Sequence, residues 1–308
     1  MEINHYMYGA LSLLIGAAIY NSYIKENRVT QEQADYLVLE KYLLEDSSLA
    51  KSKKPILWIH IDFQENARNW VDFASRKSKN LNLPYLYLTI KSIIDHCGES
   101  FNVFIIDDNT FSKIIPGWTI NMKTISSPIL QNIRRLAKAK ILSHYGGLFV
   151  PPSFVCFKDL VDLYTTGIQE KGLFVCDIPD IKSEFMGCEK NNQIIKKYIH
   201  FLEECNSSSF TEENLFLQKE NKYIQQNKIP KISGTLIGTK NVNKENIILD
   251  QLMSSVPLKL DNNATGLYIP KNEILSRIKY QWFNRLSLEQ VLNTDNQITR
   301  HILFSQNK

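Results

Sequence analysis

The sequence predicts an α/β protein, a mostly parallel sheet flanked by helices, preceded by an N-terminal transmembrane helix. Three observations predict it. Two short apolar runs, "ILWIHIDF" and "FNVFIIDD", have the unbroken hydrophobic character of strands buried on both faces. The segments that follow them, "PYLYLTIKSIIDHC" and "SSPILQNIRRLAKAKILSHYGG", read as helices, and strand–helix–strand order points to parallel pairing. The third observation is Tyr6 to Ile24, an uncharged apolar run with no Lys or Arg before it, close to the ~20 residues needed to cross a bilayer.

The elements follow in order. Residues 1–28 are read as the anchor, with Lys25 and Arg28 just after the span, so the positive-inside rule predicts a single-pass protein with its C-terminal body in the cytosol. Residues 29–54 comprise an amphipathic helix and a linker. Thr30 and Gln33 stand at capping-box spacing, and Tyr36, Leu39, Leu43 and Leu44 lie on one side. Residues 55–308 form the α/β domain, starting at Pro55. After the two strand–helix pairs, Gly146 or Gly147 suits a left-handed helix stop, and "LFV" resumes as a strand. A short strand "LFVCDI", helices at "NNQIIKKYIHFLEEC" and "TEENLFLQKENKYIQQ", a Gly-Thr-rich turn "ISGTLIGTK" and a tail "YQWFNRLSLEQVL" complete the chain.

Composition removes several function classes. The net charge is +4 with no basic stripe interleaved with aromatics, so no nucleic-acid partner is expected. Five cysteines form no CxxC pair and are read as buried thiols. Six histidines show no i, i+4 spacing, and neither HExxH nor GxSxG occurs, which excludes zincin and serine-hydrolase motifs.

In a parallel sheet, ligands gather at the carboxyl ends of the strands. Two such ends carry chemistry. Asp107 and Asp108 end the second strand, where carboxylates hold a cation or accept hydrogen bonds from sugar hydroxyls; alternatively, Asp108 or Asn109 caps the next short helix. The other end is "GGLFVPPSF". Just upstream lie Arg134, Arg135, Lys138 and Lys140, of which Arg134 and Lys138, and Arg135 and Lys138, share helix faces.

The progression "PILWIHIDF", "FNVFIIDDNTFSKIIPGW", "RRLAKAKILSHYGGLFV" resembles the capsular-polysaccharide-synthesis and DXD-containing sugar transferases, especially divergent relatives encoded by large nucleocytoplasmic DNA viruses. The resemblance runs from Pro55 to Leu160. It implies a GT-A-like (Rossmann-like) fold and hexosyl transfer from a nucleoside diphosphate sugar. It further implies that Asp107 and Asp108 act as catalytic residues, and that His60, Arg135, Lys138, Gly146, Gly147 and Ser153 bind substrate. The family's Asp-x-Asp, which holds the donor's divalent metal, falls here on Pro151 and Ser153, so no metal cofactor is expected. The helix positions that carry Asp and Arg in the family read Arg135 and Lys138. Two functions follow: a membrane-anchored, metal-independent glycosyltransferase, or an inactive scaffold or virion-associated membrane protein that keeps the fold.

Overall fold

The computed structural model describes residues 54–62, 83–178, 182–208 and 213–307. The predicted span at 6–24 and the amphipathic helix at 30–46 lie outside them, and among the described residues no helix is long and apolar enough to cross a membrane.

The first half alternates strand and helix: β1 (Ile56–His60), α1 (Tyr85–Cys97), β2 (Asn102–Ile106), the single turn α2 (Phe111–Ile114), α3 (Ser127–Tyr145) and β3 (Gly147–Phe149). The second half is more broken: β4 (Phe154–Cys156), α4 (Val161–Ile168), β5 (Leu173–Cys176), β6 (Met186–Cys188), α5 (Gln193–Ser208), α6 (Glu213–Gln226) and β7 (Lys231–Ile232). It closes with α7 (Leu249–Leu252), β8 (Gly266–Tyr268), α8 (Lys271–Ser276), a 3-10 helix (Ile278–Arg285), α9 (Leu288–Leu292) and α10 (Gln297–Gln306).

Six strands form one sheet in the order β2-β1-β3-β6-β5-β7. Pairing is parallel at β1–β2, β1–β3 and β5–β7, and antiparallel on both sides of β6. β6 alone runs backward, so its N-terminal end opens on the same edge as the carboxyl ends of the other five. The expected mostly parallel sheet is thus observed. The strand expected at Phe101–Asp108 is shorter, and β6 and the separate two-stranded sheet β4–β8 are additions that the sequence did not suggest.

The core forms where α3 and α5 cover one face. Ile133, Leu136, Ala137 and Ile141 of α3 are buried at helical spacing against Trp58, Phe149 and Val175 of the sheet and Ile195, Tyr198 and Leu202 of α5. Trp58 stacks on Phe149 with ring centroids 6.0 Å apart, and its Nε1 donates to the Gly146 carbonyl at 2.9 Å. That bond joins β1 to the turn where α3 reverses into β3. All five cysteines are buried and free, as expected of core thiols.

Beyond β3, the Val150 N–H still donates to Trp58 O at 3.0 Å; then the chain turns, with Phe154 N–H donating to Pro151 O at 3.1 Å. Pro151, Pro152, Ser153 and Phe154 are all buried. Thr89 of α1 donates to the Pro152 carbonyl, and the Ser153 hydroxyl donates to Ile269 O at 2.7 Å. The proline pair therefore satisfies its carbonyls inside the fold.

Candidate functional site

Ion pairs collect at the carboxyl edge of β1 and β2. His60 closes β1, 3% exposed and stacked on Phe111 at 5.1 Å. Its Nδ1 lies 3.2 Å from Asp62 Oδ1 and its Nε2 3.0 Å from Asp108 Oδ1. Arg134, from α3, grips Asp108 as a fork, with Nε 2.9 Å from Oδ1 and Nη2 2.6 Å from Oδ2, and stands 3.7 Å from Asp62. Lys271, at the start of α8, donates to Asp62 Oδ2 at 2.9 Å.

These contacts set the charge states. Burial raises the Asp62 carboxyl, but Lys271, His60 and Arg134 outweigh it and hold the group well below its usual value of 3.8. Asp108 behaves likewise: burial is overcome by His60 and Arg134, and its pKa is lowered. Lys271 is held up against burial by Asp62 and Glu184. The stabilisation from both aspartates is complete above pH 3.8 and is lost as pH falls through their lowered folded values. Urea midpoints measured across that acid range should fall, and Asp62→Asn should flatten the slope; an unchanged slope would rule out this assignment.

Beside the ion cluster lies a small cavity of ≈ 30 Å³, lined by His60, Asp62, Lys138, Ser183, Glu184 and Lys271 among others. It exceeds the ~10–15 Å³ needed for one water and falls far short of the ~300–1,000 Å³ of a drug-sized site. The Ser183 hydroxyl is buried and makes no well-formed hydrogen bond, although it lies close enough to the Tyr198 hydroxyl to act on it. Lys138 lines the cavity half-buried, with no ion pair among the described residues. Lys138 rests over the Phe149 ring at 5.9 Å. Burial pulls its pKa below the usual 10.5, opposed by Glu184 and Asp62 and assisted by Lys271 and Arg135. Glu184 accepts from Tyr268 at 3.0 Å, and Arg135 donates to Asn132 at 2.7 Å while lying over Phe216. Counting Arg134, Arg135, Lys138 and Lys271 against Asp62, Asp108 and Glu184, cations outnumber carboxylates.

The expected site residues divide. His60, Arg135 and Lys138 line the cavity. Asp108 lies behind it in the ion cluster. Asp107 folds back on its own turn, accepting from Thr110 N at 2.9 Å and Thr110 Oγ1 at 2.6 Å and from Asn109 at 3.1 Å. Neither Asp108 nor Asn109 caps the next short helix, whose N-cap position is Thr110 and carries no side-chain cap hydrogen bond. Gly146 and Gly147 act through the backbone beneath the site, and Ser153 is turned toward Ile269. Lys140 leaves the cluster for Glu203 at 2.6 Å. Sequence reasoning missed Asp62, Ser183, Glu184 and Lys271. Asp62 carried a signal, a carboxylate two residues after an apolar strand; the other three carried none locally.

A divalent cation does not fit this donor set. His60, Asp62 and Asp108 converge, but their donors already face Arg134 and Lys271, and among the described residues no group of three or more His, Cys, Asp or Glu side chains is placed to hold an ion. No protein-family model matches the chain, and no curated protein matches it.

Proposed function

We propose that the domain is a GT-A-like, metal-independent nucleotide-sugar site, tethered through residues 6–24, that transfers a hexose from a nucleoside diphosphate sugar. The observation that carries this reading is the cavity at the strand ends, where the half-buried Lys138 amine, without an ion pair among the described residues, stands beside Ser183 in a cationic setting. A phosphoryl oxygen supplies the acceptor that both groups want, and charge-assisted bonds are the strong ones. The cavity admits the phosphate end of the ligand, leaving the remainder across the rim. Lys138, Arg135 and Lys271 would then meet the charge that develops on a departing diphosphate, the electrostatic task a metal performs in the resembling family.

The second reading, a scaffold that keeps the fold without turnover, is favoured by the Pro151–Pro152 turn. That strand end is built into the interior rather than opened toward a ligand. Calorimetry with a panel of nucleoside diphosphate sugars, with and without manganese, separates the two when paired with an assay for released nucleoside diphosphate. Metal-insensitive binding with release supports the transferase. Binding without release supports the scaffold, and no binding at millimolar donor ends the nucleotide-sugar reading.

A further inference from the structure

Past the cavity, the segment from Lys271 to Arg285 has two apolar sides. Ile274, Tyr280 and Phe283 face inward and are buried. Leu275, on α8, and Ile278 and Trp282, on the 3-10 helix that follows, are exposed at 43%, 87% and 45%. The segment is held firmly: Asp250 accepts from the Tyr280 hydroxyl and pairs with Arg277 at 2.7 Å and Lys279 at 3.3 Å. Large apolar side chains fixed outward and rimmed by polar groups mark an interaction surface.

Charge and area decide what covers it. Of the five charged residues between 271 and 285, four are cationic; Lys271 is buried on Asp62, Arg277 pairs with Asp250 and Glu273, and Lys279 shares Asp250, so the exposed cationic excess rests on Lys279 and Arg285. Arg285 is exposed at the far end. Three apolar side chains fall well short of the ~800 Å² per partner that a stable protein interface buries. A Trp, two aliphatic side chains and flanking Lys and Arg instead suit the boundary between headgroups and acyl chains.

We propose that this face docks on an anionic lipid surface, with Trp282, Ile278 and Leu275 entering the interface and Lys279, Arg277 and Arg285 meeting the headgroups. Lys271 and Asn272 line the cavity and open the same helix, so docking brings the cavity rim to the membrane. The inference does not depend on what the cavity binds.

The test uses the full chain reconstituted in vesicles of brominated phosphatidylcholine, with and without phosphatidylserine, so that anchoring through residues 6–24 is common to both arms and tryptophan quenching reads the docking of this face. Trp282→Phe measures the background from the other tryptophans. Quenching that requires phosphatidylserine and disappears in Trp282→Phe is the expected result, and Arg285→Gln should weaken docking about fivefold, the effect of one cation near an anionic surface. Ile278→Ser serves as a second variant that leaves the fluorophore in place and should also lower quenching. Quenching retained by Trp282→Phe, or equal in neutral vesicles, overturns the proposal. So does a Trp282 response that follows protein concentration rather than lipid, which would assign the face to a second copy of the chain.

Discussion

Gly147→Ala is expected to destabilise the domain by at least about 4 kcal/mol, the upper range for a point substitution. Gly147 has φ 104°, and an added Cβ would lie 2.2 Å from the Ile56 carbonyl oxygen and 3.0 Å from its carbon. The contact is backbone, at the start of the β1–β3 pairing that sets Leu57 opposite Leu148, so no side chain can swing aside. Left-handed strain and collision therefore add. Gly117→Ala is the control, since Gly117 has φ 71° but nothing within 4 Å, and should cost only the ~1–2 kcal/mol of the conformation itself. Urea unfolding of the two variants decides it. Equal losses would show that conformation alone, not the approach to Ile56, governs the site.

Lys138→Met should lower affinity for a nucleoside diphosphate sugar about 100-fold, as expected for loss of a buried charged hydrogen bond to phosphate, while leaving the protein at least as stable. The second half of that expectation is the informative one. A half-buried amine with no ion pair among the described residues is partly desolvated without compensation, and Met removes that cost while keeping volume over Phe149. A merely structural lysine would do the reverse. Because burial holds the Lys138 pKa below its usual value, an arriving anion should raise it again. Affinity should therefore fall as pH rises toward the usual lysine value, and binding there should take up protons, read by calorimetry in buffers of different ionisation enthalpy. Unchanged affinity in Lys138→Met would remove the cavity from consideration.

The central sheet was legible because strands covered on both faces must be apolar throughout, and "ILWIHI" and "NVFII" are. The helix–Gly-Gly–strand joint was legible too, and the structure gives its reason: Gly146 offers its carbonyl to Trp58 and Gly147 makes room for Ile56. β4, β6 and β8 were not legible, since three residues carry no period. β6 exists because Gly187 lets the Phe174 ring lie against its backbone, with an added Cβ falling 2.2 Å from Cε1, a fact of packing rather than pattern. The site split along the same line. His60, Arg135 and Lys138 sit on elements whose direction the sequence implied, whereas Ser183, Glu184 and Lys271 reach the cavity only through the chain's return path. Of the carboxylates after apolar strands, attention went to the adjacent pair at 107–108, yet the cavity takes Asp62.

The Lys271–Asp62 bridge closes a loop of 209 residues, and the Ser305 hydroxyl reaches back 149 residues to the Cys156 carbonyl. Such long closures form late, because chain entropy must be surrendered before they return anything. During synthesis, β1, β2 and α3 can gather as soon as they leave the ribosome, bringing Asp108 to Arg134 and His60. Asp62 must wait for its lysine until α8 has emerged. The cavity therefore cannot be completed until α8 has been synthesised, 209 residues after the carboxylate that its lysine meets.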